Sequence, residues 1–304
     1  MLDSPTALPR HLAVGILCFT GTLSAVNHVA ARVAFDDGAG VLLAVLCRSG
    51  LSGLALFCIV LWRQLPLRLP AGLGRWQLAV GLLVALQSLC LYSAVSRIPV
   101  AVALLLGNLF PFMLVLLTWA LGGKAPTRLT GFLMVAIVLG LVLVLDLPAV
   151  LGAETDMGPE WSIGILFALG GSSVFTVALW ITDHRLSSLA GPVRGMYTII
   201  TVFVSTMVVG VAEVLPQSLH SPGSWVGWTA LATLSLLYAT TFSILFILMP
   251  RLDMARNAPV MNIEPVASLV LGAWILGQYL NGWQLLGGAV VLGSIVALAY
   301  SKRQ

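Results

Sequence analysis

Two stretches of the sequence, about half the chain apart, follow the same pattern. Residues 97–111 are RIPVAVALLLGNLFP, and residues 251–265 are RLDMARNAPVMNIEP. When the two are aligned, an arginine, an asparagine and a proline coincide, in the pairs Arg97/Arg251, Asn108/Asn262 and Pro111/Pro265. The pattern indicates an internal repeat that divides the chain into residues 1–150 and residues 151–304.

The composition around this repeat excludes a water-soluble protein. Of the 304 residues, 59% are hydrophobic and 9% are charged, whereas a soluble domain contains about 25% charged residues. The 15 Lys and Arg and the 11 Asp and Glu are too few to cover a water-facing surface. A soluble enzyme, a secreted module and a disordered chain are therefore excluded, and an integral membrane protein is predicted. The basic residues form no cluster, so nucleic acid is not an expected partner.

Apolar stretches that are long enough to cross a bilayer occur along the whole chain. A spanning helix needs about 20 predominantly apolar residues. Ten stretches approach or reach that length: Leu12–Ala31, Gly40–Leu61, Trp76–Val95, Val100–Gly122, Leu129–Leu145, Trp161–Thr182, Met196–Val214, Val226–Met249, Ala258–Leu276 and Trp283–Tyr300. The predicted fold is an all-α integral membrane protein with ten transmembrane helices, five in each half.

The distribution of basic residues predicts the orientation of these helices. If the N-terminus is cytoplasmic, all of the 15 Lys and Arg except Arg32, Arg48 and Arg97 lie in cytoplasmic segments. Because cytoplasmic loops carry an excess of Lys and Arg, we expect both termini to be cytoplasmic, in a multi-pass protein of the bacterial inner (plasma) membrane. Five spans in each half then place the halves in opposite orientations. Inverted repeats of this kind are typical of secondary transporters, whose substrate site lies between the halves near the midplane.

The stretch 255–268, ARNAPVMNIEPVAS, resembles the EamA-type permeases of the drug/metabolite transporter superfamily. Within that superfamily the chain is most similar to the bacterial exporters of aromatic amino acids. The resemblance implies a ten-helix protein with a central cavity that is lined mainly by spans 1, 3, 4, 6, 8 and 9. The chain departs from the family where Gly-Glu often follows the fourth and ninth spans, since it has Gly123-Lys124 and Gly277-Gln278 there.

Glu264 is the only acidic residue well inside a predicted span. An ionisable group at that depth is costly and usually functional, so Glu264 is a candidate to carry a proton or to bind a substrate ammonium group. The alternative is structural, with Glu264 capping the backbone distorted by Pro265 or pairing with Arg48 or His28. His28 is a second candidate proton carrier because a histidine titrates near neutral pH. Its alternative is an interfacial position near the end of span 1.

Other polar and aromatic side chains inside the spans extend the candidate site. Polar stripes on spans 1, 3, 6 and 8 indicate surfaces that face a cavity, and aromatic rings on such stripes suit an aromatic or cationic ligand. The predicted substrate-binding residues are Asn27, His28, Gln87, Tyr92, Asn108, Trp180, Tyr238, Asn262 and Glu264. For Arg48 we expect the side chain to extend outward to the membrane surface, with contact to a substrate carboxylate as the alternative.

The function predicted from these features is secondary transport by alternating access, with export or facilitated passage of small metabolites such as aromatic or other apolar amino acids. Nucleotide-sugar or drug-type substrates are alternatives within the same class. The motif Gly50-Leu51-Ser52-Gly53 resembles that of intramembrane serine proteases, but no suitably placed histidine follows it. A non-transporting scaffold is a third class, although it would not require a polar midplane.

The expected partners are a small-molecule substrate, membrane lipid and protons. No cofactor or metal is expected, because no motif for either is present and the four cysteines, Cys18, Cys47, Cys58 and Cys90, lack metal-type spacing. Small residues recur at intervals of four in spans 5 and 10, at Ala136/Gly140 and Ala289/Gly293/Ala297. They predict close helix packing, either inside a monomer or across a homodimer.

Overall fold

A computed structural model of the chain describes residues 8–70, 72–123, 125–144, 159–212, 219–248, 251–252, 260 and 263–301. In these residues every regular element is a helix and no strand occurs. The helices are α1 (Arg10–Asp36), α2 (Val41–Trp62), α3 (Leu73–Val95), α4 (Val100–Gly107), α5 (Phe110–Ala120), α6 (Arg128–Val144), α7 (Pro159–Arg185), α8 (Gly191–Val211), α9 (Trp225–Leu248), α10 (Ile263–Leu276) and α11 (Gly282–Ser301).

Most of these helices are long enough to cross a membrane. In the described part of the chain, 7 helical units meet the length and hydropathy expected of a span: α1, α2, α3, α4 with α5, α7, α8 and α9. The remaining helices, α6, α10 and α11, are apolar but shorter. Large apolar side chains cover the outer surface, among them Phe132 and Trp274, as expected where lipid replaces water. The prediction of an all-helical, multi-pass membrane protein is confirmed.

Several helix boundaries differ from the prediction because charged residues lie inside helices. α1 continues past Ala31 to Asp36, and the ion pair between Arg32 Nε and Asp36 Oδ1, 2.8 Å long, stabilises the added turn. α8 begins at Gly191, five residues before the predicted Met196. A charged side chain at the end of an apolar run therefore does not mark the end of the helix here.

The fourth span is broken at Asn108 rather than continuous. Pro111 lies in the first turn of α5 and has no N–H to donate to the carbonyl of Gly107, so the helical ladder is interrupted. Asn108 caps the end of α4, and both its backbone N–H (2.9 Å) and its Nδ2 (2.8 Å) donate to the carbonyl oxygen of Leu104. Asn262, the predicted repeat mate of Asn108, lies outside the described residues, and α10 begins at Ile263.

Contacts between helix ends define two sides of the molecule. On the first, called the Arg63 side, Arg63 Nη2 donates to the carbonyl oxygen of Ile247 (3.4 Å) and Tyr197 Oη donates to that of Leu67 (2.6 Å). The ends of α2, α7 and α9 and the beginnings of α3 and α8 lie there. The opposite side, called the Asp37 side, contains the ends of α1 and α3 and the beginnings of α2, α4, α7 and α9.

Hydrogen bonds around Asp37 join the two halves on its side of the molecule. The Asp37 carboxylate accepts hydrogen bonds from the backbone N–H and the hydroxyl of Ser224, both 2.8 Å long. The backbone N–H of Gly223 donates to the Asp37 carbonyl oxygen (2.9 Å). Ser224 precedes α9, so a carboxylate lies at the N-terminus of that helix, where negative charge is stabilised.

Three further contacts reinforce the closure of the Asp37 side. Arg97 Nε forms an ion pair with Glu160 Oε2 at 2.9 Å. Arg32 Nη1 donates to the carbonyl oxygens of Val95, the last residue of α3, and of Ile98 in the loop that follows. The backbone N–H of Val100, at the start of α4, donates to the side-chain oxygen of Gln278 (3.0 Å). The neutral amide of Gln278, in the second half of the chain, thus caps a helix of the first half.

Helices from the two halves pack against each other in matching combinations. The contact of α1 with α9 has a counterpart in the contact of α3 with α7, and that of α2 with α9 in the contact of α3 with α8. In the same way, the contact of α1 with α10 has a counterpart in the contacts of α7 with α4 and α5. Three further combinations also join one half to the other: α2 with α8, α4 with α10 and α6 with α11.

The predicted close packing of spans 5 and 10 occurs inside the chain, between α6 and α11. A β-carbon added at Gly287 would lie 2.5 Å from the carbonyl oxygen of Gly140 and 2.7 Å from the β-carbon of Leu143. Gly140 therefore takes part in the contact as predicted, but its partner is Gly287 rather than Gly293, around which there is open space. The close approach of the two backbones depends on these two glycines.

We expect Gly287→Ala to destabilise the protein by about 1–3 kcal/mol, because the new methyl group overlaps backbone atoms that cannot move independently. Thermal unfolding of the purified protein in detergent measures the effect. Gly288→Ala is the matched control, since no heavy atom lies within 4 Å of a β-carbon there and alanine is the better helix former. Equal unfolding temperatures for the two variants would contradict the assigned contact.

The hydrogen bonds from Ser224, the hydroxyl first, hold the pKa of Asp37 below its ordinary value. The ionised carboxylate therefore stabilises the fold above the ordinary pKa of about 3.9, and this contribution is lost as the pH falls through the lower folded-state pKa. We expect Asp37→Asn to lower the unfolding temperature at pH 7, with a difference from the native protein that narrows towards pH 3. Asp183→Asn removes an exposed carboxylate on the Arg63 side as the control. A difference that is constant across this range would argue against the Asp37 contact.

Candidate functional site

A cavity of about 420 Å³ lies among α1, α2, α3, α7, α8 and α9. Its polar and aromatic lining comprises Ser24, His28, Arg48, Gln87, Phe175, Thr182, Arg194, Thr198, Tyr238 and Phe242. The lining extends from Arg48 and Tyr238 to Thr182 and Arg194, which are within one turn of helix ends on the Arg63 side. The cavity is therefore located between the two halves and approaches the Arg63 side.

Arg48 lies inside the protein and does not extend outward to the membrane surface, so that expectation was wrong. The residue is 3% exposed. The central carbon of its guanidinium group is 4.2 Å from the ring centroid of Tyr92 and 4.4 Å from that of Tyr238. A cation over an aromatic ring is stabilised by the ring quadrupole, most strongly when water is excluded. The two predicted aromatic residues thus surround a cation that belongs to the chain itself.

Tyr92 is fully buried and is positioned by a chain of hydrogen bonds. Its Oη donates to Asn27 Oδ1 at 3.2 Å, and Asn27 Nδ2 donates to the carbonyl oxygen of Leu234. Phe35 and His28 add edge-to-face ring contacts, with centroids at 5.6 and 5.8 Å. Asn27 and Tyr92 therefore form the support beneath Arg48, where they link α1, α3 and α9, and they do not line the cavity.

Glu264 contacts two residues of α1. Its Oε1 accepts a hydrogen bond from Ser24 Oγ at 2.7 Å and lies 3.4 Å from His28 Nε2. Of the structural alternatives considered for Glu264, the pair with His28 is present. Glu264 also lies in the first turn of α10, where a negative charge is favourable.

His28 is buried, and its interfacial alternative is wrong because α1 continues about two turns beyond it. Its Nδ1 has no hydrogen-bond partner among the described residues. The imidazole therefore has one nitrogen near a carboxylate and a second without a hydrogen-bond partner among the described residues.

The other predicted site residues divide into those inside and those outside the cavity. Gln87 and Tyr238 line it. Trp180 stacks on His184 with ring centroids 4.4 Å apart and is not part of the lining. Asn108 caps α4, as described above, and Asn262 lies outside the described residues.

Arg194 lines the cavity although it lies outside the predicted span Met196–Val214. α8 begins at Gly191, with Pro192 in its first turn, and a proline at that position is a recognisable signal for the start of a helix. Gln77 is buried and ties this end of α8 to α3, since its Nε2 donates to the Arg194 carbonyl oxygen (3.2 Å) and to Thr198 Oγ1 (2.9 Å).

The motif at residues 50–53 has a packing function in this structure. Ser52 is fully buried, and its Oγ donates to the carbonyl oxygen of Arg48 at 2.8 Å. The two flanking glycines face the side chains of Phe203 and Ile199 on α8. The described residues contain no cluster of three metal-ligating side chains.

Comparison with known proteins agrees with this architecture. The profile of the EamA-like transporter family matches residues 11–146 and residues 156–300. A search of curated proteins finds no significant match. Among 18 matching chains of solved structures, one that is described only as "Crystal structure of protein" has a TM-score of 0.59 and 21% sequence identity, over 97% of this chain and 100% of the other. At that identity the likeness shows a shared fold alone.

The family match covers both halves of the chain and includes the stretch 255–268, in which the resemblance was first recognised. The cavity between the halves is the feature that a carrier protein requires. The chain belongs to the EamA-like transporter family and is a multi-pass membrane transporter of small solutes.

Proposed function

We propose that this protein is a secondary transporter that exports aromatic or other apolar amino acids by alternating access. The observation that supports this substrate class most directly is the cavity itself, in which an arginine lies beside an aromatic wall. Phe175, Tyr238 and Phe242 suit an apolar side chain, and Arg48 suits a carboxylate. A volume of about 420 Å³ is near the lower end of the range for ligand pockets, about 300–1,000 Å³. It favours a solute of amino-acid size over a nucleotide sugar or a larger drug.

The transport cycle that we propose uses two inverted five-helix repeats, residues 1–150 and 151–304, with ten spans in all. The matching helix combinations between the halves support this arrangement, as does the division of the family match into two stretches of similar length. The two repeats would rock against each other about the central cavity. The described conformation has contacts that close the Asp37 side, while the cavity approaches the Arg63 side.

The proposed orientation places the Arg63 side and both termini in the cytoplasm of a bacterial cell, with the protein in the inner membrane. The positive-inside rule supports it, because most of the described basic residues, such as Arg63, Arg68 and Arg185, lie on that side. A cavity that approaches the cytoplasm is suited to load solutes for export. We propose a monomer, since the small residues of α6 and α11 pack against each other within one chain.

We further propose that Glu264 and His28 couple transport to protons. Both belong to the contact between α1 and α10, which joins the two halves. A proton taken up by the carboxylate weakens its attraction to a protonated imidazole, and the contact between the halves loosens. Protonation and rocking would thus be linked through one pair of side chains.

Counterflow of radiolabelled phenylalanine into proteoliposomes tests the proposed activity. We expect saturable uptake that liposomes without protein lack. Val84→Trp should reduce uptake about tenfold or more, because Val84 lines the cavity and the larger side chain fills space that the solute needs, as volume added to a packed interior is poorly accommodated. Leu82→Trp is the matched control, on the exposed face of the same helix. Absence of saturable flux for phenylalanine, tyrosine, tryptophan and leucine would contradict the proposal.

Glu264→Gln separates proton coupling from solute exchange. We expect this variant to lose the stimulation of uptake by a pH gradient while it retains exchange at equal pH, because the amide cannot release a proton. Uptake is measured with and without the gradient in parallel. Glu160→Gln makes the same change in an exposed ion pair on the Asp37 side, where no proton carrier is proposed. Stimulation that persists in Glu264→Gln would remove Glu264 from the coupling mechanism.

A further inference from the structure

We propose that Arg48 is the binding site for the carboxylate of the transported solute, and that the cavity does not require an amino group. The substrate class is then small organic acids with an aromatic or apolar body, of which amino acids are one kind. This inference rests on the proposed function, because it takes the ligand of the cavity to be the transported solute. The test measures binding of the ligand and does not measure transport.

The first observation is that the buried guanidinium group of Arg48 has no anionic partner in the part of the chain that the structure describes. No carboxylate among the described residues lies within ion-pair distance of it. Its Nε has no hydrogen-bond partner among those residues. Buried charges in membrane proteins are normally paired, and the two tyrosines that contact the guanidinium group are not carboxylates. An anion in the cavity would complete the site.

The second observation is the charge of the lining. Two arginines, Arg48 and Arg194, are part of it, and none of the described lining residues is Asp or Glu. Glu264 is near but is not in the lining, and its Oε1 contacts Ser24 and His28. A solute carboxylate therefore has a cation available, whereas a solute ammonium group has no free carboxylate. The electrostatics favour acids over amines.

The third observation is that Arg48 is held in a fixed position before a ligand enters. Tyr92, whose ring contacts the guanidinium, is anchored through Asn27 to the backbone of α9. Tyr238, the second contacting ring, packs against Phe242 with ring centroids 4.3 Å apart. A planar guanidinium with fixed orientation binds a carboxylate through two parallel hydrogen bonds. Tyr238 and Phe242 also form part of the cavity wall, where an apolar body would lie.

The experiment measures binding to the detergent-solubilised full chain with radiolabelled 3-phenylpropionate as the probe. Phenylalanine and phenethylamine serve as competitors, since they have the same ring and differ in whether they carry a carboxylate. Arg48→Lys keeps the charge and removes the paired N–H groups. Arg68→Lys makes the same change at an exposed position on the Arg63 side. Thermal unfolding verifies that each variant is folded.

We expect 3-phenylpropionate to bind and phenylalanine to compete with comparable affinity. Phenethylamine should compete at least about tenfold more weakly, because it lacks the carboxylate that forms the charge-assisted paired contact. Arg48→Lys should weaken binding of the probe about tenfold or more, and Arg68→Lys should leave it unchanged. Absence of probe binding to the folded native protein, equal or stronger competition by phenethylamine, or unchanged affinity in folded Arg48→Lys would each overturn the inference.

If Arg48→Lys does not fold, the comparison of acid with amine on the native protein decides the question. Failure of the proposed transport activity is distinguishable, because it appears as binding of the acid without saturable flux.

Discussion

The burial of one guanidinium group, that of Arg48, is the constraint on which the packing of the central helices depends. A cation in the membrane interior is costly unless its surroundings stabilise it, and here two tyrosine rings do so. Tyr92 belongs to α3 and Tyr238 to α9, so the contact joins the two halves of the chain around α2. The hydrogen bonds of Tyr92 and Asn27 extend the junction to α1. Four helices therefore contact one another around the charge of Arg48. A substitution in any of these contacts is expected to alter the cavity.

Polar contacts join the two halves on both sides of the molecule. On the Asp37 side, hydrogen bonds and an ion pair join loops and helix ends around Asp37, Arg97 and Gln278. On the Arg63 side, hydrogen bonds join Gln77 of α3 to Arg194 and Thr198 of α8 beside the cavity. The contacts on the Asp37 side lie near the molecular surface, where water competes for the same groups and each contributes little. A seal made of several weak contacts can open without a large energetic barrier, which suits the alternating-access cycle that we propose.

The sequence predicted the class of fold well because each span is an apolar run, and apolar runs are a local property. It also identified the Glu264–His28 pair among the alternatives, since ionisable residues inside spans are few and tend to meet. The position of Arg48 was beyond prediction, because the convergence of tyrosines from α3 and α9 leaves no local pattern. Arg194 was missed for a different reason: it lies outside the predicted span Met196–Val214, although a nearby proline marked the helix.

Gln278 stands at a position where the family often has an acid, and its amide makes one contact between the halves independent of pH. It caps α4 across the boundary between the halves, and an amide neither gains nor loses a proton over the range in which a cell lives. The hydrogen bonds from Ser224 hold the pKa of the Asp37 carboxylate below its ordinary value, so it stays charged near neutral pH. A change of external pH near neutrality therefore leaves the contacts of Gln278 and Asp37 unaltered.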